Sequence, residues 1–494
     1  MHTKINQRAA SVADTKRPRT RNAATRRSSI LAAAVAATLG AVALPSQVAA
    51  DDLTWVPTVD GLYFWDNVGS WTPGQIPDAT DNLLLDQSGN FNVIVGAPSL
   101  GNNAEFANGS WTFIGGAGAR LQSSGFGVID RATAMNLGEA TTVTLDSGVL
   151  WDQVGQLRVG DVGFGRFDVI NGSDWRGETM FLGDDAGSVG VVNVAGTGST
   201  LFADGLNGSN GFRIGENGTG TLNITGGGRT TINTADTSGS IADYVLGAGA
   251  TGQGTLNIDG AGSEAFAEDI IIGNNGTGTV KVTNGGFFNA AQSTSPDTFL
   301  GRATAATGSI VVNGQGSQWR TRRIDVGESG TGTISIEAGG ILRAVEASNG
   351  NNGDVLIGEN ATGVGSVAVF GTDGANASRL DVDDNLFVGF DGQGTLRVGQ
   401  SLAGAADGSG RVDVDLDIRI GANAGNSADN RMIVDGSNAV ANVGNVLWAG
   451  LNGDGRLDVL NGGTVTPGRL RVGSGAGTQG TLNIDGAGTM VDVT

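Results

Sequence analysis

Short alternating runs that end on a glycine recur along this chain every 23 to 32 residues, and that recurrence leaves few folds open to it. The anchors are Gly160, Gly183, Gly215, Gly247, Gly273, Gly301, Gly327, Gly358, Gly389, Gly421, Gly450 and Gly473, in phrases such as "LRVG", "FRIG" and "VLIG". After most of them a Gly, Asn or Asp turn leads into a second alternating run, such as "GTLNI" at 220–224, 254–258 and 480–484. Each repeat therefore holds at least two strands of four or five residues, too short to bury a face alone. Stacked, they pair backbone groups with the repeats above and below at about 4.8 Å and point aliphatic columns inward. Leu222, Ile224, Leu256, Ile258, Ile334 and Ile336 are the predicted inward residues.

The phrase that closes each repeat alternates between two forms. One is a double glycine, as in "TGGG", "TNGG" and "EAGG"; the other is a "DGAGS" or "NGQGS" type, and "VGQSLAG" at 398–404 interrupts the series. Composition agrees with many short strands: 86 of 494 residues are Gly and 5% are aromatic. The predicted fold is all-β, a right-handed parallel β-helix (β-solenoid) of about 12 recognisable coils, because β-crossovers of that hand dominate. A β-propeller needs blades of about 40 to 50 residues and hairpin turns, which the spacing does not supply. Pro296 and Pro467 are placed outside the best strands, since a ladder needs N–H donors.

Residues 1–50 differ from the rest. A long basic stretch precedes the apolar run "ILAAAVAATLGAVAL" at 30–44, then "PSQVAA", which sets small residues for cleavage between Ala50 and Asp51. This reads as a secretory signal peptide, the run being too short and Ala-rich for a membrane span. The mature chain is expected to have no transmembrane segment. The predicted organisation is signal peptide 1–50, a Trp/Pro-rich N-terminal cap 51–100, irregular first coils 101–156 and solenoid repeats 157–494. Without residues 1–50 the 29 basic and 49 acidic residues fall to 21 and 48, a net charge of −27. Such a surface repels phosphate backbones, so nucleic acid is not an expected partner.

The chain has no Cys, and its one His, His2, lies in the signal. That removes any scheme needing imidazole or thiolate from the mature protein. The carboxylate candidates are Asp413, Asp415 and Asp417 in "RVDVDLDIRI", read as sharing one strand face with Val412, Val414, Leu416 and Ile418 on the other. Paired carboxylates serve glycoside hydrolysis or Ca²⁺ binding, but a solvated strand face shows the same alternation and is preferred. Asp381, Asp383 and Asp384 read likewise; "DVDDN" lacks the Gly and Glu of an EF-hand loop. "QWRTRR" sets Trp319 beside Arg320, Arg322 and Arg323, a patch suited to an acidic polysaccharide or to balancing nearby acids. Lys281, the lone lysine of the mature chain, is expected at the surface. "GENGTGTL" lacks the Lys-Ser/Thr of a phosphate loop. No catalytic, cofactor-binding or metal site is expected, and the reading is of a protein that is not an enzyme.

Trp55, Trp65 and Trp71 stand in the segment "LTWVPTVDGLYFWDNVGSWTPGQIPDATD". They suit a cover for the first coil's open edge, with sugar stacking as the alternative. The spacing W…G…W…W…G…P…D at 55–81, followed by VGxxGxGxLxI units, resembles the repeat family associated with type V secretion and PEP-CTERM proteins. The resemblance covers nearly all of 51–494. It implies an exported Gram-negative surface protein, such as an autotransporter passenger carried out by its own C-terminal barrel. The function expected of such a rigid repeat array is that of a stalk, adhesin or matrix scaffold, with a polysaccharide or other cell-surface ligand as candidate partner. Neither membrane strands nor a Pro-Glu-Pro tail follows "GTMVDVT", so a C-terminal translocator or anchor is expected as a missing partner. A carbohydrate-active β-helix enzyme and a polysaccharide-binding protein are the alternative functions.

Overall fold

A computed structural model describes residues 51–494 except 97–98, 117, 130–140, 205–210, 233–243, 292–296, 347–352 and 424–428. Ala50 and Pro296 thus lie outside the described residues. Each coil contributes three strands rather than the two visible as repeats. In one coil they are Leu157–Val159, Phe164–Ile170 and Asp174–Gly177. In the next they are Met180–Leu182, Val189–Ala195 and Thr200–Ala203. All pair in parallel with the strand one coil on: Leu157 with Met180, Phe167 with Val192, Trp175 with Leu201. Three parallel sheets result, called first, second and third in chain order, and the protein is a β-solenoid. Among the described residues the second sheet runs unbroken from Gly61–Phe64 to Gly480–Asp485.

The six residues predicted to face inward are all buried. They belong to columns such as Phe167, Val192, Leu222, Leu256, Val280, Ile310 and Ile334, in which each side chain covers the next. Nearly the whole core is one cluster running the length of the stack. Toward the N-terminus the columns turn aromatic. Trp55 makes edge contacts with Trp71 and Trp111 at 5.1 and 5.5 Å, and Phe91 stacks on Trp111 at 4.4 Å. Large rings thus fill the interior of these coils, where mostly aliphatic side chains fill the later ones.

The twelve anchor glycines share one conformation. Their φ angles lie between +61° and +80°, at the corner between the first and second sheets. A Cβ on Gly273 would sit 2.2 Å from the Thr307 carbonyl oxygen of the next coil, so both φ and space demand glycine. At the next corner the alternating phrases interlock. A double-positive turn such as Gly226–Gly227 or Asn284–Gly285 lies under the serine of the coil above. Ser263 Oγ accepts from Gly227 N (3.1 Å) and donates to its own Asp259 O (2.7 Å). Ser317 bridges Gly285 N and Asn313 O in the same way (3.0 and 2.6 Å). Ser199, Ser378 and Thr489 repeat the device on Gly172, Gly339 and Gly462.

Pro467 departs from expectation. It lies inside strand Thr464–Val472, opposite Val443, just where the register slips before Val446. At such an irregularity the ladder tolerates a residue without an N–H.

Candidate functional site

The outer faces are built from the polar halves of the same alternation. On the second sheet Asn193 Nδ2 donates to Asp168 Oδ1 (2.6 Å), Asn223 to Asn193 (2.8 Å) and Asn257 to Asn223 (2.8 Å), an amide ladder four coils deep. Lys281 continues that column and is exposed, as expected. "GENGTGTL" turns the corner at Gly215 and enters strand Thr219–Thr225, whereas a phosphate loop opens a helix.

A second feature is the triplet Arg-x-Asp. In a strand, positions i and i+2 face the same way, so each triplet forms its own ion pair. Arg166 Nε–Asp168 (2.9 Å), Arg323 Nε–Asp325 (2.8 Å), Arg411 Nε–Asp413 (2.6 Å) and Arg456 NH2–Asp458 (2.8 Å) are made this way, as is Arg379–Asp381. The triplets are visible in the sequence as Arg and Asp two residues apart within a strand. Register then joins them between coils. Arg343 Nε lies 3.2 Å from Asp381, Arg379 Nε 3.1 Å from Asp413, and Asn442 Nδ2 donates to Asp413 Oδ1 (2.8 Å).

This ladder contains the leading carboxylate candidate and changes its meaning. Asp413 and Asp415 stay on the outer side as expected, but Asp417 does not share their face. The strand Ser409–Val414 ends after Asp413, and beyond it Leu416 points outward at 43% exposure while Asp417 is 8% exposed. The corner breaks the parity that alternation assumed. Asp417 accepts from Asn445 Nδ2 and Val446 N and pairs with Arg419. Burial pushes the Asp413 carboxyl up, but hydrogen bonds from Arg411 and Asn442 and the Arg379 charge outweigh it and hold it below the usual range. Burial keeps Asp381 above its ordinary value despite Arg379 and Arg343. Arg379, Arg411, Asp413, Asp415, Asn442 and Thr466 line an open groove there. Asp383 and Asp384 sit at a corner, accepting from Glu346 N (2.9 Å) and Gly353 N (2.8 Å).

"QWRTRR" is divided among three environments. Trp319 is fully buried, stacked on Phe288 at 4.2 Å, and so cannot meet a sugar. Arg320 points outward, Arg322 donates to Glu346 O (2.9 Å), and Arg323 belongs to the first sheet with Asp325 and Glu359. The sequence pattern hid this because the strand Gln318–Thr321 faces Trp319 and Thr321 inward. Trp55, Trp65 and Trp71 are likewise buried and so are not placed to stack on a sugar.

Among the described residues no group of three or more acidic, His or Cys side chains is arranged to hold a metal ion. Nor, among those residues, is any helix long and apolar enough to cross a membrane. The chain matches no protein-family model, and no curated protein is significantly similar to it.

Proposed function

We propose that this is an exported, non-enzymatic scaffold of the cell surface or extracellular space, a stalk, adhesin or matrix component of the kind carried by type V secretion. One observation carries the reading: the amides of the second sheet and the carboxylates of the later coils of the third sheet are spent on joining coil to coil. Amide ladders, the ion pairs that link Arg379 to Asp413 and Arg343 to Asp381 of the next coil, and the serine bridges at the corners all run along the stack. Asp413, the best carboxylate, is held by two guanidinium groups and an amide instead of facing a substrate. A side chain so engaged stiffens a rod and is poorly placed to move a proton.

Location and inertness test this reading. Fractionated cells probed with antibody to residues 51–494 should show the protein in the medium or on the surface, where added protease removes it from intact cells. Retention in the cytoplasm would sink the proposal. Release of reducing or unsaturated sugar from acidic polysaccharides, abolished by Asp413→Asn, would replace the scaffold with an enzyme.

A further inference from the structure

The outer face of the third sheet is where this acidic chain turns basic. Between Asp174 and Asp413 its outward positions include Arg176, Arg229, Arg320, Arg343, Arg379 and Arg411 against Asp174, Glu264, Asp381 and Asp413. The chain as a whole carries a formal charge of −20. At the later coils the arginines are consumed by the ion ladder. At the earlier coils they are not. Arg176 and Arg320 are exposed, and among the described residues neither has an acidic group within ion-pair distance. Arg229 lies over the Phe266 ring, 4.4 Å from its centroid, and reaches Glu264 only at 4.0 Å.

The column between the two exposed arginines is uncharged. Arg176 is followed, one coil at a time, by Phe202, Thr231, Phe266, Asn289 and Arg320. Phe202, Phe266 and Phe287 are partly exposed. Arg176, Thr200, Phe202, Arg229 and Thr231 line an open groove at one end. Five coil spacings separate the outer arginines, roughly 24 Å.

We infer that this face is a binding track for a linear acidic polysaccharide of the uronate type. The forks of Arg176 and Arg320 take sugar carboxylates at two places along the polymer, and Arg229 presents a third cation between them. The faces of Phe202 and Phe287 meet the apolar sides of sugar rings, and Thr200, Thr231 and Gln318 supply neutral hydrogen bonds. Sparse cations separated by rings match a polymer whose charges are spaced by sugars. They do not match duplex DNA, which carries a charge about every 1.7 Å and would face repulsion from the rest of this surface. The track does not depend on where the protein resides, so it can stand or fall apart from the scaffold reading.

The experiment is affinity electrophoresis of the folded chain in gels containing polygalacturonate, with dextran gels as the neutral reference. Polygalacturonate should retard the protein, dextran should not, and added salt should weaken the effect. Arg176→Ala combined with Arg320→Ala should weaken binding at least about tenfold, as expected for loss of two charge-assisted contacts. Lys281→Ala, on the second sheet, should leave it unchanged. Single Arg176→Gln and Arg320→Gln variants, checked by circular dichroism, separate lost contacts from lost folding. Absence of retardation in the wild type, or full binding by a folded double variant, overturns the track. So does equally tight, equally arginine-dependent binding of duplex DNA, which would make it a polyphosphate site.

Discussion

Asp458 shows how much a single residue is asked to do on a solenoid face. Its side chain is completely buried between Arg431 Nε (2.5 Å) and Arg456 NH2 (2.8 Å), with Asn483 Nδ2 at 3.1 Å. Asp458→Ala leaves two guanidinium groups facing each other and should cost about 3 kcal/mol, the low end for a broken buried pair because both arginines remain partly hydrated. Native-state amide exchange in strands Arg431–Asp435 and Gly455–Leu460, which reads the local opening free energy, checks this, with Lys281→Ala as a neutral reference. Burial raises the Asp458 carboxyl, but hydrogen bonds from Arg456, Arg431 and Asn483 outweigh it and hold it low. Its stabilisation is therefore complete above about pH 4 and lost as pH falls through the lower folded value. Asp184 has the opposite sign. Burial first, then the neighbouring Asp161 and Glu216 carboxylates, push it up to about 6, against the pull of Arg158. The folded chain then holds that proton more tightly than the unfolded one, so stability falls as pH rises from about 4 to about 6. Asp184→Asn should flatten this slope and stabilise the protein at pH 7 by on the order of 1 kcal/mol, the amide losing the Arg158 pair. Melting curves at pH 4.5 and 7 for both proteins decide it.

At the scale of one coil, the alternation of double-glycine and Gly-x-Gly-Ser phrases is a two-part joint. A double-positive turn exposes an N–H, and the serine above satisfies it while staying fully buried. Ser263→Ala takes the acceptor from the half-buried Gly227 N–H and the donor from Asp259 O, and should cost about 1 kcal/mol. Because each coil touches only its neighbours, the damage should be local. Amide exchange should quicken around 226–230 and 259–266 and stay near wild type beyond residue 330. Uniformly faster exchange along the chain would refute a local joint.

Over the whole molecule, stability is a sum of coil energies and neighbour contacts in one dimension. The tryptophans are unevenly placed along it: Trp55, Trp65, Trp71, Trp111, Trp151 and Trp175 lie in the first coils, and only Trp319 and Trp448 beyond. Fluorescence therefore reports mainly the aromatic N-terminal end, whereas circular dichroism reports all three sheets. The two signals should give urea midpoints that do not coincide. Coincident curves would mean that the stack unfolds as a single cooperative unit, contrary to nearest-neighbour stacking.

The sequence by itself determined the stack. Glycine at each corner, short alternating runs and a constant interval admit parallel coils and little else, and the inward columns of Leu222, Ile224, Leu256 and Ile258 follow from period two. The Arg-x-Asp pairs were equally legible, since both partners lie on one strand. Tertiary structure decided whatever depends on where a strand stops. Trp319 faces inward and Arg320 outward because of how the preceding turn delivers the strand. Asp417 leaves the face of Asp413 because a corner falls between them. A shift of one residue exchanges core and surface, and only the stacked register of neighbouring coils fixes that shift. The same register set Arg176, Phe202 and Arg320 in one column across five coil spacings, an alignment that no local pattern contains.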